Sequence, residues 1–122
     1  MTITRAELDT VCAGFPGTRL SVPPELVSWK VGEKMFACFG DFDDTGGVSV
    51  KTRDIETASI LIDSGAAERA PYFHRSWVRF AYDRADRSEV IFRLGQSYDI
   101  VRASLKKAIR DTLPPRQTEG TV

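Results

Sequence analysis

Four groups of residues have types and spacings that chemistry could use. Asp41, Asp43 and Thr45 place oxygens at positions 1, 3 and 5 of a loop with Gly46 at position 6, as a calcium loop does. Such a loop needs a bidentate glutamate at position 12. Thr52 stands there, in a strand-like stretch, so the run reads as an acidic hairpin loop. Ser104-Leu105-Lys106-Lys107 has the S-x-x-K spacing of a lysine-activated serine. Its S-D-N and K-T-G companions are missing, and these residues read as a solvated helix face. His74 is the only histidine, so no multi-histidine metal site can form. A Cys38–His74 dyad would require a partly exposed thiol of lowered pKa. Cys38 lies between Ala37 and Phe39 in the most apolar stretch and reads as a buried thiol. No glycine-rich phosphate loop of either standard spacing occurs. A protein without catalytic activity and without a cofactor is expected.

The fourth group is basic and aromatic. Arg75, Trp77 and Arg79 alternate along one run, His74 precedes them, and Lys51 and Arg53 close another run. Cations beside an exposed aromatic hold phosphates and stack a base, and Arg75 and Arg79 would each contact a phosphate. If Trp77 instead packs beneath the helices, the same arginines are merely solvated. The residues leave both readings open.

These side chains need elements to position them. Thr4-Arg5-Ala6-Glu7 is a capping box, with Ile3 and Leu8 at the positions of a hydrophobic staple. Leu8, Val11, Cys12 and Phe15 then follow at helical spacing until Pro16-Gly17. Val27, Trp29 and Val31 alternate as a half-buried strand does, and Gly32-Glu33 suits a two-residue turn. The run 34–40 is apolar on both faces and reads as a central strand; a third strand follows at 48–51. Asp54 caps a short helix that Gly65 stops. A second β section pairs Tyr72-Phe73 with 77–82 through His74-Arg75-Ser76, Val78 and Phe80 sharing one face and Trp77 and Arg79 the other. Asp86 and Glu89 open a long amphipathic helix, or two bent near Gly95, that Pro114-Pro115 ends.

The spacing thus predicts an α+β domain over residues 1–113, an antiparallel sheet packed against N- and C-terminal helices as a two-layer sandwich. Residues 114–122 are expected to form a disordered tail. A length of 122 residues suits one domain. No apolar run approaches the ~20 residues of a membrane span, and no signal pattern opens the chain, so a cytoplasmic protein with no membrane partner is expected. Seventeen basic and seventeen acidic side chains cancel, so only a local patch could attract a polyanion.

Several segments together resemble the MmcQ/YjbR family. Trp29-Lys30-Val31-Gly32-Glu33-Lys34-Met35-Phe36-Ala37 is similar to its strand–turn–strand opening, and Val48 to Thr52 to its next strand. Trp77 stands where that family opens a strand with tryptophan. Gln96 to Val101, followed by Leu105 to Arg110, resembles its C-terminal helix, and Phe15-Pro16-Gly17 its early turn. The resemblance spans residues 5–113. It implies a small α+β fold like that of frataxin-like proteins, with a β layer compared to the wings of DNA-binding domains, and members are commonly labelled DNA-binding. Lys51, Arg53, His74, Arg75, Trp77 and Arg79 are then the candidate contacts, with DNA as a weak, salt-dependent partner. The alternative is a protein-interaction or small-ligand domain using the same sheet surface.

Overall fold

The computed structural model describes residues 2–40 and 46–116. The capping box forms as the sequence dictates: the Thr4 amide donates to Glu7 Oε1 at 3.1 Å, and the Glu7 amide to Thr4 Oγ1 at 3.2 Å. It opens helix α1 (Arg5–Ala13), and the stapling pair Ile3 and Leu8 is buried. Strands β1 (Thr18–Ser21), β2 (Val27–Val31), β3 (Lys34–Gly40) and β4 (Gly47–Lys51) follow, then helix α2 (Ile55–Asp63), capped by Asp54. Strands β5 (Glu68–Arg69) and β6 (Trp77–Ala81) precede α3 (Arg87–Ala103) and α4 (Lys107–Arg110). The sheet is antiparallel throughout, in the order β1-β2-β3-β4-β6-β5. The α+β fold expected from the residues is the fold observed.

Its particulars differ from expectation at β1, at the first arm of the second β section and in the C-terminal helix, while the two-residue turn at Gly32-Glu33 forms as expected. β1 was not anticipated; paired with β2, it turns the expected half-buried strand into an interior one. The 32–33 turn has φ of 55° at Gly32 and 71° at Glu33. Both central residues are left-handed, which makes a type I′ turn whose twist matches the flanking strands. The first arm of the second β section is Glu68–Arg69, not Tyr72-Phe73, because Tyr72 has φ 70° and leaves the extended region. The C-terminal helix runs unbroken through Gly95 and stops at Ser104, where the Ser104 hydroxyl donates to the Val101 carbonyl at 2.7 Å. Gly95 is small for another reason: a Cβ there would meet the Arg116 guanidinium at 2.8 Å. Arg116 also pairs with Asp99 at 2.8 Å, so the described fold runs past Pro114-Pro115.

The core lies between one sheet face and the helices. Phe36, Tyr98, Phe80, Leu94, Val50 and Val78 belong to one buried cluster, with Tyr98 edge-on to Phe36 at 5.3 Å. Two register shifts between β2 and β3 leave Phe36 and Phe39 without a Cα partner. These bulge residues both serve the helix side: Phe36 meets Tyr98, and Phe39 lies 3.8 Å beneath the Arg5 guanidinium. Ser97, fully buried, ties the layers together. Its hydroxyl accepts from the Lys51 amide at 2.9 Å and donates to the Phe36 carbonyl at 2.7 Å.

Candidate functional site

The register of β4 against β6 decides which side chains leave the core. Val50 opposes Val78 and Val48 opposes Phe80, all fully buried. Lys51 opposes Trp77 and Ser49 opposes Arg79, so these four fall on the other face of the sheet. Trp77 is therefore not beneath the C-terminal helix. It is half-buried by the segment before it, stacked on Phe73 with centroids 4.5 Å apart and planes 24° from parallel. That segment is pinned to the end of β4: the Thr52 amide and hydroxyl both donate to the Ser76 carbonyl, at 2.8 and 2.6 Å. His74 Nδ1 accepts from the Ser76 amide at 3.1 Å, which closes the turn.

Five of the six candidate residues meet at this corner. Arg53, His74 and Arg75 are exposed, Lys51 and Trp77 half-buried. Neither Lys51 nor Arg75 pairs with a carboxylate among the described residues. Arg53 approaches Asp54 only at 3.7 Å. Asp54 is occupied by its cap: Thr57 donates to it, and this holds its carboxyl below the usual carboxylate range. The charge at this corner is basic, and it adjoins an aromatic pair.

Arg79 is placed differently. Its guanidinium pairs with Glu68, whose other oxygen accepts from Arg84 at 2.8 Å. It lies across Gly47, where a Cβ would come within 2.5 Å of the Arg79 Cζ. Arg79 is thus laid flat along the sheet rather than extended into solvent.

Beside the corner lies a cleft of about 720 Å³ that sequence reasoning did not find. Met35, Cys38, Gly47 and Ser49 form its sheet side, Leu26 one wall, and Pro71 to His74 the other. Cys38 is only 3% exposed there. Tyr72 is fully exposed on the wall. The lining is mainly apolar, with Ser49, His74 and Arg79 as its polar groups. The calcium-like run falls mostly outside the described residues, since only Gly46 of it is placed.

A six-stranded antiparallel sheet with helices on one face, and a cleft and basic corner on the other, defines the class: a small two-layer α+β domain that presents its sheet as a surface. Within that class the chain belongs to the YjbR family, whose model matches residues 13–100. A Deinococcus radiodurans protein, its crystal structure described as a DUF419 domain, is similar over 98% of this chain and 94% of its own, at 25% identity and a TM-score of 0.79. No curated protein matches the chain significantly. No helix among the described residues is long and apolar enough to cross a membrane.

Proposed function

We propose that this protein binds nucleic acid weakly and without catalysis, through Lys51, Arg53 and Arg75 at the corner where β4 meets β6. The observation that carries the reading is the gathering of these three cations around the stacked Phe73–Trp77 pair, with no carboxylate on Lys51 or Arg75 among the described residues. Phosphates favour such a group electrostatically, and an overall charge of zero confines the attraction to it. Two or three contacts support affinities in the micromolar range or poorer. Both cysteines are free, which fits a reducing cytoplasm. Fluorescence anisotropy of labelled oligonucleotides, titrated at several salt concentrations, tests the reading. Binding that weakens with salt and with Arg75→Ala supports it; no binding at low salt removes it. The apolar cleft favours a second reading, capture of a small ligand or a partner's apolar side chain, which leads if nucleic acid does not bind.

A further inference from the structure

We infer that the cleft takes an unstacked base of a single-stranded nucleic acid whose phosphates lie on Lys51, Arg53 and Arg75. The inference rests on the nucleic-acid reading and names the form of nucleic acid. The cleft and the cations share one segment, since residues 71–74 line the cleft and Arg75 follows at once. A strand held by its backbone at the corner has its bases beside the cleft mouth.

Tyr72 supplies the second observation. It is a bulky residue at φ 70°, fully exposed on the cleft wall. A tyrosine in the left-handed region is strained, and this one gains no packing in return. An aromatic face presented to solvent at a cleft mouth is what a free base stacks on. A duplex keeps its bases stacked inside and offers only their edges, so it cannot use such a wall.

Size and polarity agree. The volume falls within the range of small-molecule sites, roughly 300–1,000 Å³, so a base with its sugar fits. Ser49 and His74 offer hydrogen-bonding groups to a base edge. Along β4, Lys51 and Gly47 stand about 13 Å apart at ~3.3 Å per residue. The cations gather at the Lys51 end, which suits the backbone, and the mainly apolar cleft suits the neutral base.

The test compares a 12-mer thymidine strand, the uridine RNA of equal length, and a 12-base-pair duplex, by anisotropy at low salt, with amide NMR spectra of each mixture. At least one single strand should bind about tenfold more tightly than the duplex, as one to two stacked bases allow. The amides of Gly47 and Ser49 should shift with that strand and not with the duplex. Tyr72→Ala should cost the strand about five- to tenfold and leave the duplex unchanged; the residue is exposed, so folding is not at issue. The two arms distinguish DNA from RNA as the tighter source of the base. Duplex binding equal to or tighter than both strands, or strand binding with Tyr72→Ala silent and the cleft amides unmoved, overturns the cleft while the basic corner stands. Failure of all three to bind overturns the corner as well.

Discussion

Alanine at Arg75 and alanine at Arg79 separate two arginines that the sequence presents as equivalents. Arg75 is exposed and lacks a carboxylate among the described residues, whereas Arg79 pairs with Glu68 and lies across Gly47. With Lys51, Arg53 and Arg75 as the contacts, and ~0.7 per contact on a single strand, log affinity should fall against log salt with a slope of about −2. Between roughly 50 and 200 mM salt the affinity then drops by about 18-fold. Arg75→Ala removes one contact, so the slope becomes about −1.4 and the same change in salt costs about sevenfold. Arg79→Ala should leave the slope near −2, because Glu68 and the close approach to Gly47 hold its guanidinium along the sheet. It should instead lower stability by about 1 kcal/mol, from a partly buried ion pair and the packing of its stem. Anisotropy titrations give the slopes and urea unfolding gives the stability. A slope flattened by about 0.7 in Arg79→Ala, at unchanged stability, would refute the assignment of Arg79 to the sheet.

Other consequences follow from the packing. Ser97→Ala should cost about 1–3 kcal/mol in urea unfolding, since it strands the Lys51 amide and the buried Phe36 carbonyl that one hydroxyl now satisfies. Gly32→Ala should cost about 2 kcal/mol or more: φ is 55°, and the new Cβ would meet both Leu105 methyls at 2.7 Å. Tyr98 donates to the Pro16 carbonyl at 2.5 Å, and burial holds its phenol above the ordinary tyrosine value. Folding therefore favours the protonated phenol, a contribution intact below about pH 10 and lost as pH rises through the folded value; in Tyr98→Phe the part of the alkaline destabilisation due to this residue should vanish. Cys12 and Cys38 are buried, and burial pushes the Cys12 thiol up, so a bulky thiol reagent should titrate neither in native protein and both after denaturation.

The elements legible in the sequence were those with local signals of their own. The Thr4–Glu7 box, the Asp54 cap and the apolar run of β3 each act within a few residues, and each formed where expected. β1 had no such signal: Thr18 to Ser21 shows no apolar alternation, and its two central residues are exposed. It is a strand because the edge of β2 has backbone groups to satisfy. Tyr72-Phe73 misled in the opposite sense. Aromatic pairs favour strands, but here Phe73 serves as the stacking partner of Trp77 and the backbone turns at Tyr72. At Gly95 the missing side chain makes room for Arg116, a contact across 21 positions that no helical pattern records.

The site was legible in its charges and illegible in its shape, for the same physical reason. Lys51, Arg53, Arg75 and Trp77 sit near one another in two short runs, so a single strand pairing brings them together. The cleft needs Leu26, Met35, Ser49 and Tyr72, from four separate segments, and nothing in any one segment announces the others. The Arg79–Glu68 pair links the two features. A side chain at position 47 would strike both the Arg79 guanidinium and, at 2.8 Å, the Phe80 carbonyl. Glycine at 47 and an arginine laid flat by Glu68 are therefore one arrangement. It holds Arg79 along the sheet, and it leaves that end of the cleft without a side chain rising from the sheet. The basic corner consequently presents fewer exposed cations than its composition suggests, and the surface beside it keeps the depth of a cleft.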